Sequence, residues 1–263
     1  MSTATGTAGV QGPLWGARAK DWSRLMESQG RPLHAEVARV TVKPGMTILD
    51  IGCGSGQFLQ IAAEHGANVS GLDAAAGLLA VARERIPAGD LREGEMTALP
   101  WPDHTFDLVT GFNSFQYAHD FVQALSEARR VVKPGAHVVI ALWGKDEDCE
   151  ATAILRAIGP LLPPPPPGAP GPLALGQDGL LERLATEAGL TPSVWVAVDC
   201  PWVFPDLETT LQANLSAGPM IRVINHAGED AVRAALTEAL KPFRLSDGSY
   251  RLENKFRYMT TTA

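Results

Sequence analysis

Cysteine is scarce in this chain. Cys53, Cys149 and Cys200 are the only three in 263 residues, and no two of them form a C-x-x-C pair. That usage fits a reducing compartment and gives no sign of a zinc site, so no metal is expected. Long apolar runs are also missing. None approaches the length needed to cross a bilayer, and no membrane partner is expected. Runs of Lys or Arg are absent and the formal net charge is −7, which argues against a nucleic-acid partner held by broad phosphate neutralisation. The first residues, MSTATGTAGVQG, have neither a basic region nor an apolar stretch and do not read as a signal peptide. The expectation is a soluble cytoplasmic protein. Apolar residues are not short: at 45%, against 19% charged, they suffice for a sizeable core. The length suits one elaborated domain or two small ones.

What stands out is Thr47–Leu59, TILDIGCGSGQFL. An apolar run ends in Asp50 and passes into Gly52, Gly54 and Gly56, after which a helical apolar pattern begins. This reads as a strand, a turn whose backbone passes close to a ligand, and a helix N-terminus. The spacing is G-x-G-x-G rather than the G-x-G-x-x-G of dinucleotide sites. About twenty residues on, Gly71-Leu72-Asp73 closes a second apolar strand with a carboxylate able to accept both hydroxyls of a ribose. The pair points to an adenosine-type cofactor.

The rest of the chain extends a strand–helix rhythm. Residues 1–13 are small and polar and read as disordered. Between Lys20 and Val42 the pattern is helical, with Leu33, Val37 and Val40 on one face, until Lys43-Pro44-Gly45 stops it. Strands are predicted at 47–51, 67–72, 90–94, 106–111 and 136–143, with helices between them, which implies a parallel, doubly wound sheet. The prolines of 162–168 must run extended, as a stiff surface connection rather than a recognition ligand, since only one such run occurs. A helix at 180–188, a strand at 193–203, helices at 207–215 and 230–240, and a strand at 250–260 complete the reading.

These motifs resemble class I S-adenosylmethionine-dependent methyltransferases, of the ubiquinone/menaquinone or natural-product small-molecule group. Besides the glycine turn and Asp73, the resemblance rests on Glu93-Gly94-Glu95-Met96, on Phe106–Val109 with Gly111-Phe112-Asn113, and on LSEARRVVKPGAHVVIALW at 125–143. It covers about residues 45–145. It implies an α/β, Rossmann-like, seven-stranded mixed sheet with an antiparallel C-terminal hairpin and a helical cover. The implied division is N-terminal cap helices (1–44), a cofactor-binding core (45–150), and a C-terminal part (151–263) whose insertion at 205–243 covers the site. The implied cofactor is S-adenosylmethionine, with S-adenosylhomocysteine as product. Its contacts would come from Asp50, Gly52, Cys53, Gly54, Gly56, Asp73, Ala74, Glu95, Met96, Phe112 and Asn113. Asp73 would hold the ribose, the amides of 52–56 the amino-acid end, Glu95 the adenine amino group, and Met96 the ring. Asp50 orients the loop or merely caps it. Cys53 reads as a space-filler.

The implied reaction is in-line methyl transfer to a small, partly apolar acceptor, in which alignment supplies much of the acceleration. Tyr117 and His119 are the candidate base; the other reading of His119 is a cap on the helix that starts at Asp120, or a solvent-facing ring. Trp15 and Trp22, seven residues apart, share one helical face if the segment is continuous and would line the acceptor or pack in the core. Trp143 ends the fifth strand at the ligand-binding edge, and His226 lies in the insertion. Two other readings stay open: an S-adenosylmethionine-binding enzyme that does not methylate, and a silent partner subunit. The acceptor and the oligomeric state are not legible in the residues.

Overall fold

The computed structural model describes residues 6–162 and 174–263. Most of the proline run lies outside them. Seven strands form one sheet in the order β3-β2-β1-β4-β5-β9-β6. They are β1 (Thr47–Ile51), β2 (Asn68–Asp73), β3 (Asp90–Glu93), β4 (Phe106–Phe112), β5 (Val132–Trp143), β6 (Thr191–Asp199) and β9 (Lys255–Thr262). The first five pair in parallel, and β9 runs antiparallel to both β5 and β6. Strand order reverses between β1 and β4, so a crevice opens at their carboxyl ends, where ligands bind in open sheets of this kind.

The central strands are apolar throughout because both of their faces are covered. Along β1, Ile48 packs with Phe58, Leu108, Val139 and the C-terminal helices, while Leu49 and Ile51 turn to the opposite layer with Leu125, Ala128 and Val131. Alternate residues of a strand point to opposite faces, so one five-residue strand supplies both layers.

Between β6 and β9 the chain makes an excursion. Two short strands, β7 (Trp202–Phe204) and β8 (Tyr250–Leu252), pair antiparallel at its base. Three helices, Leu207–Leu215, Gly218–Ala227 and Glu229–Leu240, form the cover. Asp206 caps the first of them, accepting from the Thr209 amide at 2.7 Å.

Four kinds of difference from the expectations stand out. The strand expected at 193–203 is broken at Cys200-Pro201 into β6 and β7, and that at 250–260 into β8 and β9, so one long hairpin becomes a sheet pair and a smaller pair. Helix Gly218–Ala227 starts at Gly-Pro, a pair that reads as loop, although proline fits the first turn of a helix. Val40 is exposed, and the buried face of helix Arg31–Thr41 is Leu33, His34, Val37 and Ala38.

The fourth difference is helix Ala8–Gly16, which forms where the residues show no helical pattern. Its hydrophobicity is not periodic; small size holds it in place. A side chain at Gly12 would overlap the carbonyl of Ala74, and one at Gly77 would come within 2.8 Å of the Gly16 carbonyl. Glycine at both contacts lets two backbones touch. A Gly12→Leu substitution should therefore release this helix while leaving the sheet intact. The expected outcome is faster tryptic cleavage at Arg18 and Lys20 with little change in far-UV circular dichroism.

Candidate active site

The turn after β1 is built by three left-handed glycines, Gly52 (φ 73°), Gly54 (φ 56°) and Gly56 (φ 81°). Other residues adopt that region only at a cost. Space demands glycine as well: a side chain at Gly52 would overlap Ser114, one at Gly54 would come 2.7 Å from Glu27 Oε1, and one at Gly56 would come 2.8 Å from Ile86 Cδ1. The protein's own packing thus accounts for all three glycines.

The loop amides are already engaged. Those of Gly52 and Cys53 donate to the Leu72 carbonyl, and that of Gly56 to the Cys53 carbonyl. The Gly54 amide donates to Asp73 Oδ2 at 2.8 Å, and the Ser55 amide to Glu27 Oε1 at 2.9 Å. Instead of facing the amino-acid end of a cofactor, as expected, these amides bind the protein itself.

An internal cavity of about 280 Å³ opens beside this loop. Of the sequence candidates, Asp50, Gly52, Cys53, Gly54, Asp73, Ala74, Met96, Phe112, Asn113, Tyr117, Trp15, Trp22 and Trp143 line it. Gly56 does not, because it begins the following helix. Glu95 lies in a neighbouring groove, its Oε2 accepting from the Ala8 amide at 2.9 Å. His119 and His226 are exposed and do not reach the cavity, which corrects their candidacy. His119 follows the short helical turn Phe115–Tyr117, which turns Tyr117 inward and leaves the histidine outside. His226 falls on the outer face of its helix.

Three buried or nearly buried carboxylates meet here. Asp50 accepts from Thr110 Oγ1 at 2.7 Å and is 2% exposed, and burial raises its pKa well above the ordinary value. Burial also raises Asp73, against the amides of Ala75 and Gly54 that hold its charged form. Glu27 is raised by burial despite its bonds to Ser55 and an ion pair with Arg85 at 2.9 Å. No Lys or Arg lines the cavity among the described residues. The wall therefore favours a cation. Three buried polar atoms, Asn113 Oδ1, Ser114 Oγ and Gln116 Oε1, belong to cavity-lining residues and have no partner among the described residues. Asn113 also holds a left-handed conformation (φ 50°), a strain typical of ligand sites.

Away from these acids the wall is apolar: Trp143 with Trp202 and Phe256, together with Ile154, Leu155 and Met220. Trp15 and Trp22 meet edge to face at 4.7 Å, and Trp15 meets Tyr117 at 5.6 Å. They reach one another across a broken segment rather than along one continuous helix. Burial raises the Tyr117 hydroxyl, so it stays protonated. Burial likewise raises the Cys53 thiol, which is no nucleophile.

Sequence reasoning missed Glu27, His34 and Gln57. Glu27 reads as a solvated charge in a polar stretch. His34 carries a faint signal, since it falls one turn before Val37 and Ala38 on the buried face. Its Nδ1 lies 2.8 Å from Gln57 Oε1, and its ring packs against Phe112 at 4.5 Å, with Phe58 beyond at 6.2 Å. Burial lowers its pKa to about 4.

Residues 49–140 match the family model described as a methyltransferase domain. The chain is 37% identical over 124 residues to the demethylmenaquinone methyltransferase of Renibacterium salmoninarum, covering 47% of this chain and 48% of that protein. It is 37% identical over 98 residues to the malonyl-(acyl-carrier protein) O-methyltransferase of Serratia marcescens, covering 37% of this chain and 38% of that protein. The chain thus spans about half the length of these curated relatives, or less. Among solved structures, a SAM-dependent methyltransferase from Aquifex aeolicus superposes with a TM-score of 0.56 over 94% of this chain and 98% of its own, at 16% identity. The (4+2)-cyclase SpnF superposes with a TM-score of 0.58 over 88% and 80%, at 20% identity. At such identities these likenesses show the fold alone, which is that of the class I methyltransferases. Residues 49–140 are a methyltransferase domain, and the chain around them has the fold of the class I S-adenosylmethionine-dependent methyltransferases. No described helix is long and apolar enough to cross a membrane, and no metal-binding cluster occurs among the described residues.

The buried His34 makes stability depend on pH. The unfolded ring takes a proton near the ordinary histidine value of 6.5, whereas the folded ring resists until about 4. Stability is therefore lost as pH falls through that window, by about 3 kcal/mol in total. The raised carboxylates act in the opposite direction, so comparison with a His34→Phe variant isolates the imidazole. Urea unfolding at several pH values should show a steeper acid loss in the parent than in the variant.

Proposed function

We propose that the chain transfers a methyl group from S-adenosylmethionine to a small, uncharged, largely apolar acceptor. The observation that carries this reading is one continuous cavity with three carboxylates and orphaned polar atoms along part of its wall and tryptophans along the rest. S-adenosylmethionine carries a sulfonium and an ammonium, and a wall with three acids and no basic residue suits both. When bound, it supplies an electrophilic methyl group.

The residues present fit that molecule. Asp73 keeps a free lone pair on each carboxylate oxygen for the ribose hydroxyls, since each oxygen accepts one amide bond. The loop amides being occupied, the Gly52 carbonyl is left for the ammonium, together with the Gly54 carbonyl, which takes only a long contact from Cys53 Sγ at 3.9 Å. Asn113, Ser114 and Gln116 supply unpaired polar atoms. Met96 and Leu78 line the wall as apolar packing for the base. Glu95, which accepts from the Ala8 amide through Oε2, has acceptor capacity left for the adenine amino group and ties that end of the site to the N-terminal helix.

The acceptor side argues by charge and shape. An anionic acceptor would face Asp50 and Asp73 with no basic residue among the described lining, the nearby Arg85 being already paired with Glu27. The names of the curated relatives support methylation of a small molecule without identifying this chain's own acceptor.

Isothermal titration with S-adenosylmethionine should show binding that an Asp73→Ala substitution weakens about tenfold to a hundredfold, the loss of a charged hydrogen-bonding partner. Unchanged affinity would reject this placement of the ribose. Turnover with an accepted substrate should add one methylene to its mass. Binding without such a gain, across a panel of apolar acceptors, would favour a non-methylating enzyme.

A further inference from the structure

We infer that His34 is the catalytic base of this site, and that the acceptor is an uncharged, flat aromatic molecule bearing a hydroxyl. The inference rests on the methyl-transfer reading and names its substrate class.

The geometry decides the tautomer. Gln57 Oε1 can only accept, so the 2.8 Å contact requires His34 Nδ1 to carry the hydrogen. Nε2 then holds a lone pair and has no hydrogen-bond partner among the described residues, while the ring lines the cavity. Nε2 lies on the side of Gly30, another cavity-lining residue whose missing side chain leaves that edge uncovered. Phe112 meets the ring edge to face at 4.5 Å and is backed by Phe58, so the two phenylalanines brace the ring from one side. Gln57 is itself 6% exposed, so the pair is a built feature of the interior.

The other titratable groups in the cavity serve this role less well. Tyr117 keeps its proton, and Asp73 and Glu27 are tied to the glycine loop. Asp50 already accepts from Thr110, although its second oxygen is free. His34 faces the neutral Gln57 and two phenylalanines, with Arg31 on its own helix and Arg85 beyond as the cations that act on it. It is therefore neutral at physiological pH, with the Nε2 lone pair free of any partner among the described residues.

The acceptor class follows from the same wall. Trp143, Trp202 and Phe256 form an aromatic surface suited to a flat ring, and no Lys or Arg is present among the described lining residues to bind a carboxylate or phosphate. A phenolic hydroxyl is within reach of a neutral imidazole because its acidity rises steeply as its oxygen gains a bond to carbon. In the step, the hydroxyl proton passes to Nε2 while the oxygen forms its bond to the methyl carbon. The electron pair of the breaking carbon–sulfur bond stays on sulfur. The positive charge that sulfur carried ends on the imidazolium, which then returns its proton to water. Gln57 is a positioning residue.

The test uses the full chain saturated with S-adenosylhomocysteine, whose own binding is measured first. Failure at that stage counts against the methyl-transfer reading, whereas the second titration concerns His34 and the acceptor. 2-Naphthol and its methyl ether are titrated into this complex by calorimetry. The parent should bind the naphthol about tenfold tighter than the ether, the worth of one buried hydrogen bond, and His34→Phe should bind the two alike. Equal binding by the parent, an advantage that survives in the variant, or no binding of either probe would overturn the proposal.

Nitrogen-15 spectroscopy of the imidazole provides a readout independent of that variant's folding. The parent should show the Nδ1–H tautomer, with the Nε2 resonance shifting on addition of 2-naphthol. Gln57→Glu should raise the ring's titration midpoint by placing a carboxylate on Nδ1–H. An Nε2–H tautomer, or a midpoint unmoved by Gln57→Glu, would count against the proposal.

Discussion

Two carboxylates from outside the glycine turn hold it in shape, and the rest of the site depends on that grip. Asp73 reaches from the end of β2 to the Gly54 amide, and Glu27 reaches from the N-terminal segment to the Ser55 amide and hydroxyl. Amides at the start of a helix carry partial positive charge, so anionic side chains are favoured there. The acids supply that charge from within the protein. The turn consequently keeps no free amide donor for a phosphate, and acids rather than bases lie beside it among the described residues. This polarity separates it from the dinucleotide-binding turns its sequence superficially resembles.

The same grip connects layers of the molecule that are remote in sequence. Glu27 also pairs with Arg85, which bonds Ser23 and the Ser55 carbonyl. The N-terminal segment is thereby tied to the core beneath it. Above, it meets the insertion: Trp15 packs so closely on Gly218 that a side chain there would clash at 2.7 Å, Gln212 bonds Asp21, and Arg18 pairs with Glu229. The Arg18 pair is half-buried and bonds through both guanidinium Nη atoms. The segment is thus clamped between core and cover, and the cavity is bounded by elements from both ends of the chain.

Much of the core was legible because its signals are local. β1 and helices Gln57–Glu64 and Leu207–Leu215 follow from apolar periodicity within one residue of their ends. The antiparallel strands near the C-terminus were legible as strands but not in their partition. A break at Cys200-Pro201 divides one run into two because proline cannot donate to a ladder and the chain must change sheets there. Helix Ala8–Gly16 was invisible because its glycines and Pro13 disfavour a helix in isolation, and only contact with Ala74–Gly77 makes one worthwhile.

Sequence alone determined the parallel sheet, the glycine turn and the acid at the end of β2, since each rests on the order of neighbouring residues and on steric rules acting over a few bonds. Tertiary structure decided which polar groups meet. Glu27 and Ser55 are twenty-eight residues apart, and His34 and Gln57 twenty-three. Their pairing is set by how helix Arg31–Thr41 docks on the glycine-loop helix. It also decided against His119, exposed two positions beyond the inward-facing Tyr117, because one short turn of chain rotates neighbouring side chains to opposite sides. Titration behaviour is likewise a product of burial, which no residue carries by itself.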